Sequence, residues 1–262
     1  MLDKILHYMR CPLCAAAPLC SKDSGILCSS CGAAYPVRNG VIDLIGDDSS
    51  EVITPFQRIM QMPLIVSIYE RFWRRTGYYL ASSRSLDDEI RTVLRLHRAG
   101  QDERVLDLAC GPGVFTRPLA RQAKGILVGV DLSWPMLRLA QQMIERESLQ
   151  NVILVRGSAF SLPFVTATFT FVNCCGALHL FDRPADALKE IKRVMCPKGH
   201  LCVQTTIRPK RSAGLAYLLE RFIRFGFFEE AELREEVRLQ RLTILESERH
   251  RISFTFLARN NP

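Results

Sequence analysis

The stretch Val105-Leu106-Asp107-Leu108-Ala109-Cys110-Gly111-Pro112-Gly113 decides the reading of this chain. It opens as a short apolar run broken by one acid and closes on two glycines. Such a run reads as a buried strand, and the glycines let the backbone turn sharply and come close to a ligand. A helical pattern over 114–123 follows, so the loop joins a strand to a helix. A dinucleotide fingerprint would place a third glycine three residues after the second, to take a pyrophosphate. Here that position is Thr116. Asp107, just before the turn, also suits a cationic amine better than a phosphate.

Working outward, short apolar runs alternate with helical patterns. The runs at 104–110, 125–132, 152–157, 169–175 and 200–206 read as strands, and 114–123, 134–147 and 184–195 as helices. This alternation predicts an α/β fold, a parallel sheet with helices on both faces. Ligands of such sheets bind at the carboxyl ends of the strands, near the switch point. Asp131 ends the second strand, about 20 residues past the loop, where an acid can bind ribose hydroxyls. The following Leu132 is a further candidate cofactor contact, and Met136 would lie against the adenine. Against this, Asp131 also reads as a helix cap and Met136 as core.

Three further segments follow in order: Val155–Phe164 with Ser158 and Ala159, Phe169–His179 with Cys175, and Ala187–Leu201. With all five in place, residues 104–206 resemble class I S-adenosylmethionine-dependent methyltransferases of the branch that includes quinone-biosynthesis C-methyltransferases. The resemblance implies a Rossmann-like seven-stranded sheet. It implies that Asp107 meets the methionine amine, that Ala109, Gly111 and Gly113 line the methionine and sulfur, and that Asp131 takes the ribose diol. Ser158 and Ala159 would face the adenine edge, and Cys175 would offer backbone near the transferred methyl. Three positions depart from the pattern. Ala109 replaces a glycine, Thr170 an aspartate, and Ser158 the aspartate that accepts from the adenine amino group. His179, just past the fourth strand, is the candidate general base, because imidazole accepts a proton near neutral pH. A structural histidine is the alternative.

The N-terminus carries a different signal. Cys11-Pro-Leu-Cys14 and Cys28-Ser-Ser-Cys31 are two knuckles separated by a short loop, a spacing that closes a tetrahedral zinc site. Such a site has no open position for water, so the zinc would be structural. Cys20 fits neither knuckle. Asn39-Gly40 marks a hairpin turn. Residues 2–45 resemble the zinc-ribbon family that includes the small activator subunit of tRNA and protein methyltransferases, on Leu2-Asp3, Ile5-Leu6, Cys11-Pro12, Cys28, Cys31-Gly32, Tyr35-Pro36 and Asn39-Gly40-Val41. The predicted organisation is a ribbon over 1–46, a helical linker or cap over 47–85, and a methyltransferase domain over 86–262. Within the linker, Ile65, Ile68, Tyr69 and Phe72 form one helical stripe.

The chain has 262 residues, ten cysteines and a net charge of +8. No secretory h-region and no apolar run of membrane-spanning length is present, so a cytoplasmic protein with reduced thiols is expected. Cys110, Cys174, Cys175 and Cys202 lie in apolar runs and read as small buried hydrophobes. A cluster of Arg208, Lys210, Arg211, Arg221 and Arg224 flanks an apolar stripe of Leu215, Leu218, Leu219, Phe222 and Ile223 that Gly226 ends. The stripe reads as core or as a lid over an apolar substrate, and the pair would suit a peripheral membrane contact. Beyond it, 229–239 reads as a helix, and 242–247 and 252–258 as antiparallel strands.

Three function classes follow. The first is methyl transfer to a small, apolar or aromatic metabolite. The second is methylation of an RNA base with the ribbon holding RNA or a partner. The charges of residues 1–46 nearly balance, which makes a poor phosphate-binding face. The third is a non-catalytic scaffold, supported only by Ser158.

Overall fold

A computed structural model of the chain describes residues 2–22, 25–45, 79, 82–97, 100, 103–209 and 226–261. The helical stripe over 64–73, the apolar stripe over 215–223 and all of the basic cluster except Arg208 lie outside them. So does nearly all of the 47–85 segment.

The described N-terminal part begins with helix α1 (Leu2–Leu6). Two hairpins follow: β1 (Cys20–Lys22) with β2 (Gly25–Leu27), and β3 (Ala34–Arg38) with β4 (Val41–Asp43). The β3–β4 turn is Asn39-Gly40, both at positive φ, 50° and 77°. That is the twist a two-residue hairpin needs, and it is why asparagine and glycine stand there.

The rest alternates as expected. Helix α2 (Leu86–Leu96) precedes β5 (Arg104–Leu108), α3 (Thr116–Gln122), β6 (Ile126–Asp131), α4 (Trp134–Arg146) and β7 (Val152–Arg156). Then come β8 (Phe169–Cys175), α5 (Pro184–Val194), β9 (Met195–Thr206), α6 (Glu230–Leu239), β10 (Leu242–His250) and β11 (Ser253–Asn260). Helix starts carry their local signals. Ser85 and Asp88 make a reciprocal capping box on α2, and Ser133 caps α4, which has a proline in its first turn.

The sheet corrects one expectation. It has eleven strands rather than seven, in the order β1-β2-β3-β4-β7-β6-β5-β8-β9-β11-β10. Seven of them, β5 to β11, make the expected sheet. The other four are the ribbon's own hairpins. They continue the sheet because β4 pairs in parallel with β7, Val41 beside Leu154 and Asp43 beside Arg156. An edge strand offers unpaired backbone groups, and the ribbon covers this edge. The β9 strand also starts earlier than its apolar run, with a register shift near Phe169 and Phe171 that admits Pro197 and Gly199.

Side chains alternate across the sheet, so each face has its own core. Leu106, Val128, Val155, Leu201 and Phe256 face one side, covered by α1, α5 and α6 through Ile5, Ile191 and Leu233. Val105, Leu127, Phe171 and Leu257 face the other, under α2 and α3. There α4 packs Leu137 and Ala140 against Cys110, Leu154 and the ribbon's Val41. Ribbon and sheet therefore share one hydrophobic interior on both faces. A second seam runs from α1: the Tyr8 carbonyl accepts from Val165 N–H, and Arg10 N–H donates to Pro163. Glu190 of α5 ties it down, accepting from Arg193 at 2.7 Å and standing 3.5 Å from Arg10.

Candidate active site and metal centre

The carboxyl ends of β5, β6 and β8 meet at the loop after β5. This loop is strained in a directed way. Ala109, Gly111 and Gly113 all have positive φ, 53°, 54° and 81°. Left-handed backbone favours glycine, so two of the three positions explain their residue directly. Among the described residues, a Cβ built on Gly111 would meet nothing within 4 Å. The loop thus leaves open space at that position, a cradle a side chain would fill.

Two carboxylates bracket the loop. Asp107 is buried, and both of its oxygens are held. Asn173 of β8 donates to Oδ1 at 2.7 Å, and Thr116 of α3 donates to Oδ2 at 2.5 Å. Asp131 accepts from Gly111 N–H at 2.8 Å through one oxygen and from Ser133 N–H at 2.8 Å through the other. Burial pushes the Asp131 carboxyl above its ordinary value, against the pull of the N–H donors of Ser133, Gly111 and Leu132. The helix cap is Ser133, not Asp131, so Asp131 is not spent on α4. Met136 is buried on α4.

The other named positions fall around this centre. Leu132 is half-buried, and its carbonyl accepts from Arg156 Nε at 3.2 Å. Ser158 and Ala159 are half-buried just past β7. Ser158 Oγ accepts from Phe160 N–H at 3.1 Å, closing a local turn. Cys175 ends β8 and is buried, with its thiol pushed well up by burial first and by Cys202 next. Cys110, Cys174 and Cys202 are buried too, as small hydrophobes in strands and loop.

His179 sits in a 3-10 turn, Leu178–Leu180, after β8. It is 8% exposed, and its Nδ1 stands 3.4 Å from Thr205 Oγ1. Its carbonyl accepts from Gly226 N–H, and a Cβ on Gly226 would come 2.3 Å from that oxygen. The histidine is thus fixed at the strand end by both ring and backbone. Asn173 and Thr116 were missed as site residues from sequence. The signal for Asn173 was there: it is the one amide in the apolar run Phe169–Cys175.

The four ribbon cysteines converge. The Sγ atoms of Cys11, Cys14, Cys28 and Cys31 all lie within 4.8 Å of one another. Cys11 and Cys31 stand 3.7 Å apart, and Cys14 and Cys28 3.6 Å. Four thiolates about 2.3 Å from one zinc would stand about 3.8 Å apart, so the donor set fits that ion. Protonation is shared unequally among them. Desolvation raises Cys11, but the Tyr35 hydroxyl at 3.0 Å and the N–H groups of Cys14 and Leu13 outweigh it and bring the thiol down to about 6. Cys31 accepts from Ala33 N–H, yet its thiol neighbours and burial push it up to about 12. Thiolates this close oppose each other's ionisation unless a cation joins them. Cys20 is exposed on β1 and is not part of the set.

Among the described residues, no helix is long and apolar enough to cross a membrane. Residues 106–203 match the family described as "Methyltransferase domain". A demethylmenaquinone methyltransferase of Lactiplantibacillus plantarum is 41% identical over 119 residues, 44% of this chain and 50% of the relative. An uncharacterised chloroplastic methyltransferase of Arabidopsis thaliana is 28% identical over 194 residues, 71% of this chain and 55% of the relative. The chain spans about half the length of these relatives. Among solved structures, a SAM-dependent methyltransferase from Aquifex aeolicus superposes with a TM-score of 0.60 at 18% identity, over 76% of this chain and 98% of that one. The centre of the chain thus matches a methyltransferase domain, and the chain shares the Rossmann-like α/β fold of the solved methyltransferase.

Proposed function

We propose that this protein is an S-adenosylmethionine-dependent methyltransferase whose acceptor is a small, apolar or aromatic metabolite. The observation that carries the reading is the loop after β5. Three consecutive alternate residues at positive φ open a cradle between two carboxylates on neighbouring strand ends. In this reading Asp107 receives the methionine amine, and Ala109, Gly111 and Gly113 line the methionine and sulfur. Asp131 holds the ribose, Met136, Ser158 and Ala159 border the adenine, and Leu132 is a further cofactor contact. Cys175 borders the methyl.

The bound sulfonium supplies an activated methyl that a lone pair displaces directly. The protein's task is alignment and exclusion of water. In this reading His179 accepts the proton the acceptor loses, and its Nδ1 stands 3.4 Å from Thr205 Oγ1. The identity of 41% with a demethylmenaquinone methyltransferase favours an aromatic acceptor. Cys11, Cys14, Cys28 and Cys31 would hold one structural zinc with no open coordination position. The domain limits we propose are the ribbon over 1–46, the linker over 47–85 and the methyltransferase domain over 86–262.

The test has two arms. A ligand that binds only the native state raises the melting midpoint, so millimolar S-adenosylmethionine should raise it by several degrees, about 2.7 kcal/mol at 100 times Kd. Labelled methyl should then pass to quinols or other aromatic acceptors and not to total RNA. No shift sinks the cofactor, and transfer to RNA alone sinks the acceptor class.

A further inference from the structure

Asp107 and Asn173 are direct partners in the parallel register of β5 and β8, so their side chains leave the same face of the sheet. Asn173 Nδ2 donates to one Asp107 oxygen at 2.7 Å, and Thr116 Oγ1 donates to the other at 2.5 Å. Asn173 and Thr116 are both 0% exposed, and Asp107 is 2% exposed. The amide orientation follows from chemistry. An ionised carboxylate only accepts, so the NH₂ group must face it.

That orientation has a consequence for Asn173 itself. Its Oδ1 is buried with no hydrogen-bond partner among the described residues. A buried acceptor without a donor opposes folding, and a valine or leucine in this strand would avoid the loss. The residue is therefore not explained by its own packing. What it secures is the carboxylate beside it. Thr116 is similar: a first-turn helix residue whose hydroxyl reaches back across the glycine loop instead of capping its own helix.

We propose that Asn173 and Thr116 are positioning residues for the methionine end of the cofactor. Together they clamp both Asp107 oxygens from opposite sides, so that the carboxylate meets the methionine ammonium in one orientation. An acceptor already fixed by its neighbours loses no freedom when the cation arrives, so more of the interaction appears as affinity. This rests on the S-adenosylmethionine reading given above.

The experiment compares two ligands on three proteins. S-adenosylhomocysteine carries the amino-acid tail. Methylthioadenosine has the same adenosine and sulfur but no amine. Asn173→Ala and Thr116→Val should each weaken S-adenosylhomocysteine binding by about tenfold by calorimetry, while methylthioadenosine changes by less than about twofold. Thr116→Val keeps the side-chain shape and carries the test if circular dichroism shows that Asn173→Ala does not fold. In an Asp107→Ala background, Thr116→Val should change S-adenosylhomocysteine affinity by less than about twofold, since the clamp has nothing left to hold. Equal weakening of both ligands, or no weakening of either, overturns the assignment. Wild-type protein that binds neither ligand overturns the cofactor reading and this assignment with it.

Discussion

Asp43, the last residue of the ribbon's β4, lies beside Arg156 at the end of β7, and an Arg156 nitrogen stands 3.3 Å from its Oδ2. The carboxylate side chain is 1% exposed and the arginine 17%. Arg156 also donates from Nε to the Leu132 carbonyl at 3.2 Å. One guanidinium thus joins the ribbon, the sheet and the residue after Asp131. Removing one partner of a buried pair leaves the other charge without compensation. Arg156→Ala should lower stability by about 3 kcal/mol, read as a fall in the urea midpoint. Arg38, at 4.0 Å, is too distant and too exposed to replace it. A loss under about 0.5 kcal/mol would show that the seam does not depend on this pair.

The loop after β5 separates stability from binding. Ala109 sits at φ 53°, where a side chain costs about 1 kcal/mol relative to glycine. Ala109→Gly should therefore raise stability by about 0.5 to 1 kcal/mol. Gly111→Ala should cost about the same amount in the opposite sense, because its Cβ meets no atom of the described residues. Its effect on the cofactor should be larger, at least about tenfold in Kd, since the methyl would occupy the open cradle. Melting curves alongside titrations distinguish the two effects. Parallel losses in both would argue against a ligand at that position.

The ribbon should contain zinc. Metal analysis should find about one zinc per chain, and Cys28→Ser should remove it. Chelation of the wild type should lower the melting midpoint, while the same chelator should leave Cys28→Ser unchanged, because metal binding and local folding are one process. Metal-free protein with an unaltered midpoint would contradict this.

Acid should loosen the α1 seam. Burial raises the Glu190 carboxyl, but Arg193, the Leu162 N–H and Arg10 together hold it below the usual glutamate value. A carboxyl depressed on folding adds stability that is fully present above the unfolded value, about 4.3, and is lost as pH falls through the folded value. Glu190→Gln should thus destabilise near neutral pH and lose less stability than wild type below pH of about 4.3. Identical acid limbs in pH-dependent denaturation would exclude Glu190 as the contributor.

Much of this was legible in the chain. The order of the described strands and helices from Arg104 to Asn260 followed from hydrophobic period: central runs such as Ile126–Asp131 are buried on both faces, while Leu242–His250 alternates. The turn at Gly111 and Gly113 was legible because left-handed backbone favours glycine, and the acids at Asp107 and Asp131 because each interrupts or ends an apolar run. The four ribbon cysteines were legible from spacing alone. Asn173 was less so. Its meaning depends on which strand lies beside β5, and no local period states that.

The sequence by itself determined the alternation of elements, the glycine turn, the Asn39-Gly40 hairpin and the thiol knuckles, since each depends on residues within one short segment. Only the tertiary structure decided that the ribbon extends the sheet to eleven strands and that Asp43 reaches Arg156. Only it decided that Thr116 and Asn173 close on Asp107. Those contacts join residues 9, 66 and 113 positions apart. The two longer ones exist because parallel strands far apart in the chain come into register when their apolar faces are buried together, and the Thr116 contact because the glycine loop folds the helix start back over the strand end.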